Sequence, residues 1–244
     1  MFDGNFRTAV DKRTAPLGRS LARLGVSPDL LTGIGVVGSL AAAVVIALGD
    51  LGLGAVLLLL GIVPDLLDGP LAKAAQAVSK RGAFFDSFAD RVSDLAVFSG
   101  IGIYLIARGD QLFGILSFIG YGLASLISYQ RAKAESLGFN AKGGLMERAE
   151  RVLLLLVGVT FPALLQIALV AVAAGSVLTV VQRFLKIWRQ ASHHPDRIQA
   201  ASRMENLRRA NRRRRSRDRG SLRGFLNTYE MRNFSGRKGG FRRR

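Results

Sequence analysis

The stretch LLTGIGVVGSLAAAVVIALGDLGLGAVLLLLGIVPDLLD, residues 30–68, decides how this chain folds. From Leu30 to Leu48 no charged side chain appears, and a run of that length crosses a bilayer as one helix. Gly33, Gly35, Gly38 and Ala41 to Ala43 give it a face of small residues on which another helix can pack closely. Gly49-Asp50-Leu51-Gly52 is a short turn, and a second apolar run follows from about Leu53 to Leu67. That run carries Asp65 and Asp68 at its far end. Acids in a membrane span are costly, and a pair of them points to function.

Downstream, Gly82-Ala-Phe-Phe-Asp86-Ser-Phe-Ala-Asp90 repeats the arrangement at the start of another apolar run. If the flanks are helical, Asp65 and Asp68 lie three apart and Asp86 and Asp90 four apart, so each pair shares one helix face. Two such faces brought together make a cage of carboxylate oxygens too repulsive to stay ionised without cations. Hard divalent ions with oxygen ligands, Mg²⁺ or Mn²⁺, suit such a cage. Two of them side by side are a known device for displacement at phosphorus. Gly69 leaves the backbone beside the cage open to a nucleotide. Taken singly, Asp65 or Asp68 reads better as a helix cap, and Asp86 or Asp90 as a partner for Lys80, Arg81 or Arg91. Four of them, at these spacings and beside membrane spans, do not.

The rest of the chain extends this pattern. Residues 1–27 interleave Arg7, Lys12, Arg13, Arg19 and Arg23 with Phe6, Val10, Leu17, Leu21 and Leu24, which predicts an amphipathic helix on the cytoplasmic membrane surface. Ser27-Pro28-Asp29 starts the first span, with proline in the first turn. After the second span, a linker with Lys73, Lys80 and Arg81 leads to a third span over roughly Ala83 to Ala107. Arg108-Gly109-Asp110 turns the chain into a fourth, Phe113 to Tyr129, and a charged loop from Arg131 to Arg151 follows. Val152 to about Thr160 and Ala163 to Leu185 read as the fifth and sixth. Only Phe161-Pro162 separates them, so one long kinked span competes. The expectation is an all-α integral membrane protein, with a juxtamembrane amphipathic helix and a six-helix membrane domain over residues 28–190. Arg108 is the only Lys or Arg in the loops near 50, 109 and 162, so the aspartates face the cytoplasm of a multi-pass cell-membrane protein.

The 244 residues are 49% hydrophobic with a net charge of +18 and no cysteine. Disulfides, thiol nucleophiles and Cys-ligated zinc are thereby excluded. Residues 191–244 hold 17 Lys or Arg against 4 Asp or Glu, so this tail carries +13 of the +18. It reads as a disordered cationic segment, with a possible short helix around Ile198 to Leu207, suited to anionic lipid or to nonspecific nucleic-acid contact. His193-His194 has no third ligand in view and does not read as a metal site.

The spacing Asp65-x2-Asp68-Gly69-x2-Ala72-Lys73-x8-Gly82-x3-Asp86-x3-Asp90 resembles the signature of the CDP-alcohol phosphotransferases. Lys73 departs from it, standing where the family has arginine. Lysine keeps the charge and loses the planar bidentate fork. The resemblance implies a six-helix membrane enzyme, usually a homodimer, that joins an alcohol to the phosphatidyl group of CDP-diacylglycerol and releases CMP. It further implies that Asp65, Asp68 and Asp86 bind one metal ion and Asp68, Asp86 and Asp90 a second, with Asp90 also the general base. Asp29, Leu30, Leu31, Thr32, Gly69, Lys73 and Ser79 would touch the CDP-lipid. Asp94, one turn beyond Asp90, reads as a buried structural acid.

Three further segments, 127–135, 147–151 and 181–183, are similar to those of actinobacterial phosphatidylinositol phosphate synthases, which use myo-inositol 1-phosphate. Arg131, Lys133, Arg148, Arg151 and Arg183 all fall at cytoplasmic span ends and can converge as a cationic acceptor pocket. A phosphorylated acceptor needs such a pocket; free inositol, serine or choline does not. Glycerol 3-phosphate, the acceptor in phosphatidylglycerophosphate synthesis, is the alternative. Two readings outside enzymes compete. A cation transporter would need a polar path to the other face, yet the spans beyond Asp94 are apolar. A membrane tether for nucleic acid would rest on the tail and leave four aspartates unexplained.

Overall fold

The computed structural model describes residues 16–77, 79–141 and 143–193, together with residues 205 and 207. Among the described residues all regular structure is helical. Helix α1 is helical across residues 16–23, and α2 (Pro28–Ala47), α3 (Leu51–Ala74), α4 (Lys80–Ala107), α5 (Gln111–Ser136), α6 (Arg148–Thr160) and α7 (Leu165–His193) follow. The chain divides after Arg189 into two units, and the site belongs to the first. The basic tail predicted to be disordered lies outside the described residues save 191–193, which end α7, and Glu205 and Leu207, which are helical. Residues 1–15 lie outside them too.

One turn device is used repeatedly. Leu48-Gly49-Asp50 ends α2 with Gly49 at φ 103°, its N–H donating to Ile46 O and the Asp50 N–H to Val45 O. Asp50 then caps α3, its carboxylate accepting from Leu53 N–H at 2.9 Å. Arg108-Gly109-Asp110 repeats this between α4 and α5, with Gly109 at φ 85°. A glycine that tolerates positive φ, followed by an N-capping aspartate, closes one helix and opens the next within three residues.

Helix α2 is the hub, packing on both α3 and α4. Added Cβ atoms show how close the backbones run. One on Gly38 would lie 2.9 Å from Gly61 Cα, and one on Gly61 3.0 Å from Ser39 N. Gly100 of α4 meets the backbone of Ala43 in the same way. Gly35, Gly38 and Ala43 thus form the expected small-residue face, whereas a Cβ on Gly33 would meet nothing within 4 Å. Gly33 points away from the packing face. The core is Ile46, Leu58, Phe98, Ile101, Val159 and Leu169, while Val37, Val44, Ile167 and Leu178 stand outward, as lipid-facing side chains do.

Four helical segments are long and apolar enough to cross a membrane: Pro28–Ala47, Leu51–Ala74, Gln111–Ser136 and Pro162–Ser192. Helix α4 falls short because Lys80, Arg81, Asp86, Asp90, Arg91 and Asp94 crowd its first half, and α6 because it has 13 residues. Several boundaries differ from expectation. Helix α3 does not stop near Leu67 but runs through Pro64 and Pro70 to Ala74, so Lys73 lies on its last turn rather than in a linker. A proline in a membrane helix frees one carbonyl, which neighbouring groups can satisfy. Gln76, at φ 53°, closes the helix in the role glycine plays elsewhere. Likewise Arg131, Lys133 and Glu135 are not loop residues; they ride the last turns of α5.

Helices α6 and α7 form a hairpin, not one kinked span. A Cβ on Gly158 would lie 2.9 Å from Ala168 Cβ, a separation that a continuous helix spanning ten residues cannot give. Finally, α1 rests on the end of α3. A Cβ on Gly18 would lie 2.8 Å from the Pro70 carbonyl carbon, next to the aspartates.

Candidate active site

The aspartates come from two helix ends that meet beside α2. Asp65 and Asp68 lie near the end of α3 and Asp86 and Asp90 near the start of α4. Ser79 fixes that start, its Oγ accepting from Gly82 N–H at 3.0 Å. Thr32 of α2 donates its hydroxyl to Asp68 Oδ2 at 2.7 Å, which orients the most enclosed of the four carboxylates, 9% exposed. Asp65, Asp68 and Asp86 each offer an oxygen within 4.8 Å of the others. The first expected ligand trio is therefore assembled. Asp90 is not part of it; its carboxylate is turned to arginine.

That arginine is Arg148, at the start of α6. Its Nη1 donates to Asp65 Oδ2 at 2.6 Å and lies 2.9 Å from Asp90 Oδ1, while its Nε stands 3.7 Å from Asp94 Oδ1. The contact with Asp90 lacks hydrogen-bond alignment and is an ion pair only. Arg151, one turn on, is 1% exposed and donates to Asp94 Oδ2 at 3.2 Å. Arg91 reaches Asp90 at 3.6 Å and Asp94 at 3.9 Å. Asp94 is thus a buried acid held by arginines, in line with the structural role read from the sequence.

The five expected acceptor cations do not share one surroundings. Arg148 and Arg151 enter the aspartate cluster. Arg183, 3% exposed, donates to Gly143 O, Ile127 O and Glu147 Oε1 at 3.0, 3.0 and 2.8 Å. Arg151 also donates to Met146 O, and Thr179 Oγ1 accepts from Met146 N–H at 2.8 Å. Arg183, Arg151 and Thr179 therefore strap residues 143–147, the segment that launches α6 and aims Arg148. Arg131 pairs with Glu135 at 3.1 Å on its own helix, and Lys133 is exposed there. The sequence offered Arg91 only as a partner for an aspartate, not as a site residue. Its signal was its place between Asp90 and Asp94.

Around the expected nucleotide subsite, a Cβ on Gly69 would meet nothing within 4 Å, so this backbone is open. Asp29 pairs with Arg81 at 3.6 Å. Leu30 is exposed and Leu31 buried, the opposite orientations that a helix gives to neighbours. Lys73 closes α3 one turn beyond Gly69. The donor set at the triad is carboxylate only, which fits a hard divalent ion and not a soft one. A small cavity adjoins it, lined by Thr32, Asp65, Ser93, Asp94, Arg148 and Arg151 among others.

Residues 25–188 match the family model described as CDP-alcohol phosphatidyltransferase, which takes in every residue of this site. The chain belongs to the CDP-alcohol phosphatidyltransferase family. This transferase is 35% identical over 193 residues to a phosphatidylinositol phosphate synthase of Mycobacterium marinum, covering 75% of this chain and 82% of that protein. It is 36% identical over 178 residues to an archaetidylinositol phosphate synthase of Pyrococcus horikoshii, covering 72% and 92%. Among solved structures, it is similar to the phosphatidylinositol phosphate synthase of Mycobacterium tuberculosis with CDP-DAG bound, at 34% identity and a TM-score of 0.65 over 72% of this chain and 93% of that one. The same synthase in complex with manganese and citrate matches with the same TM-score of 0.65, over 72% and 88%. The transferase is therefore a membrane-bound enzyme, and its aspartate triad can hold a metal ion.

Proposed function

We propose that this transferase is a phosphatidylinositol phosphate synthase. It moves the phosphatidyl group of CDP-diacylglycerol to a hydroxyl of myo-inositol 1-phosphate and releases CMP. The observation that carries the reading is the pair Arg148 and Arg151, guanidinium groups set against the aspartate cage from α6. An acceptor that is itself a phosphate ester needs fixed cations beside the reacting centre; a neutral polyol does not. The relatives named above, phosphatidylinositol phosphate and archaetidylinositol phosphate synthases, support the same acceptor.

In this reading Asp65, Asp68 and Asp86 would hold one Mg²⁺ or Mn²⁺, and Asp68, Asp86 and Asp90 would hold a second. When bound, the ions supply Lewis acidity at the pyrophosphate, which makes CMP a good leaving group. Thr32 keeps Asp68 turned inward. Gly69, Lys73 and Ser79, with Asp29, Leu30 and Leu31, border the nucleotide and the lipid glycerol. Asp90 takes the acceptor hydroxyl proton as that oxygen bonds to the β-phosphorus and the bond from β-phosphorus to the bridging oxygen breaks. Arg183 acts through residues 143–147, and Arg131 and Lys133 draw the anionic acceptor in from the end of α5. Helices α4 and α6 complete six spans, their charged ends sheltered at the site. The cytoplasmic placement of the site follows from the Lys and Arg distribution, α1 lies in the interface, and the enzyme works as a homodimer in the cell membrane.

The test gives the purified enzyme CDP-diacylglycerol, Mg²⁺ or Mn²⁺, and one acceptor at a time, with CMP release measured. Inositol 1-phosphate should support turnover and free myo-inositol should not. Equal turnover with free inositol would sink the reading.

A further inference from the structure

The cationic side of the site is charge-balanced and yet poorly matched in hydrogen bonds, with Asp90 Oδ1 accepting none. Arg91, Arg148 and Arg151 face Asp65, Asp90 and Asp94, three charges against three. Four buried guanidinium nitrogens nevertheless find no acceptor: Nε and Nη1 of Arg91, Nε of Arg148 and Nε of Arg151. Unsatisfied buried donors are uncommon and call for an explanation. Arg148 and Arg151 also line the cavity beside the triad, Arg151 being almost wholly buried. The cluster is built to donate to something larger than the carboxylates it now holds.

Two of those carboxylates have a second claim on them. Asp65 belongs to the triad that can hold a metal ion, and it is also the closest partner of Arg148. Asp90 is the other partner of the same nitrogen. A guanidinium and a divalent cation a few ångströms apart repel, so both cannot keep these carboxylates at full strength. Loading the metal leaves three guanidiniums with Asp94 alone, an excess of two positive charges beside the reacting centre. A phosphate monoester carries close to two negative charges at neutral pH and offers three acceptor oxygens. Its charge matches that excess, and its oxygens match the idle donors.

We propose that Arg91, Arg148 and Arg151 form the cradle for the acceptor's phosphate, and that metal binding opens it by drawing Asp65 and Asp90 away from Arg148. Arg148 is then a counter-ion exchanged between the metal carboxylates and the acceptor, and Arg91 gains a role. The proposal rests on the reading of the aspartates as metal ligands and of the acceptor as a phosphate ester. Because coupling between two ligands is reciprocal, the phosphate ester must tighten the metal just as the metal tightens the ester.

The experiment titrates Mn²⁺ into the detergent-purified enzyme and reads free Mn²⁺ by electron paramagnetic resonance, corrected for Mn²⁺ held by the added ligand in buffer. It is run alone and with saturating inositol 1-phosphate, glycerol 3-phosphate, inorganic phosphate or myo-inositol. In the parent enzyme an ester should tighten Mn²⁺ by roughly 5–150-fold, the usual range for coupled sites, and myo-inositol should leave it unchanged. Arg148→Gln should bind Mn²⁺ more tightly than the parent without any ester, since its internal competitor is gone, and should lose most of the coupling. Arg91→Gln, which loses only the 3.6 Å pair with Asp90, should tighten Mn²⁺ less than Arg148→Gln does and show weaker coupling than the parent. Mn²⁺ affinity unchanged or lowered in Arg148→Gln would overturn the exchange. So would full coupling in both variants, which is what direct coordination of the ester by the metal would give. If Arg148→Gln does not fold, the parent and Arg91→Gln decide. Tightening by glycerol 3-phosphate alone would leave the exchange standing and remove the inositol assignment. No tightening by any ester would remove the exchange and leave the acceptor to the CMP-release assay.

Discussion

Asp94 shows how single residues set this site. It is almost wholly buried and, among the described residues, is the only acid ion-paired with Arg151. Removing one partner of a buried ion pair strands the other and costs about 3–5 kcal/mol. Asp94→Asn should therefore lower the melting temperature in detergent markedly, and Arg151→Met with Asp94→Leu should recover much of the loss. An unchanged melting curve in Asp94→Asn would mean that the pair holds nothing together. Asp90 presents the opposite case. It is partly exposed and bound by two arginines, so Asp90→Asn should fold and bind CDP-diacylglycerol. Turnover should fall by at least about a hundredfold, the low end of what a general base contributes. A rate within a few-fold of the parent would place the base elsewhere. At Lys73 the charge matters more than its shape. Lys73→Arg should be tolerated, and Lys73→Ala should weaken apparent CDP-lipid affinity by about ten- to a hundredfold, the equivalent of about 1.5–3 kcal/mol for a charged hydrogen bond. Unchanged affinity in the alanine variant would remove Lys73 from the nucleotide subsite.

At the scale of helices, the crossing of α2 and α3 holds the triad in place, because Thr32 and Asp68 meet only if the backbones at Gly35, Gly38 and Gly61 run in contact. Gly38→Val should push them apart, costing about 1–3 kcal/mol as overpacked sites do, and should weaken Mn²⁺ binding although no ligand changes. Valine at Gly33, where a Cβ would meet nothing, is the matched control and should bind Mn²⁺ like the parent. The small-residue face was legible because glycines at helical spacing have few other uses in a membrane span. The end of α3 was not. Prolines and charges at 64–73 resemble a linker in any local window, and the helix persists there because α1 and α2 pack against it. The placement of Arg148 was the least legible feature. A cation at a span end obeys the same charge rule whether it faces headgroups or an aspartate, and Asp65 lies 83 residues away in the chain. The meeting of Asp65, Asp68 and Asp86, by contrast, was readable from spacing, whereas the turn of Asp90 toward Arg148 was not.

For the whole molecule, the family match ends at residue 188, before the basic tail. Truncation after His193 should leave CMP release and acceptor preference intact. Loss of turnover in a folded truncated enzyme would give the tail a part in catalysis. What the molecule does turns on its acceptor, because the inositol 1-phosphate and glycerol 3-phosphate readings share the CDP-diacylglycerol donor and differ only there. The most direct measurement is a competition. The enzyme receives CDP-diacylglycerol, Mg²⁺ and equal concentrations of inositol 1-phosphate and glycerol 3-phosphate, and the lipid products are weighed by mass spectrometry. Their ratio reports the ratio of kcat/KM for the two acceptors. Phosphatidylinositol phosphate as the dominant product, with one CMP released per lipid formed, is the result predicted here. Phosphatidylglycerophosphate as the dominant product would contradict it.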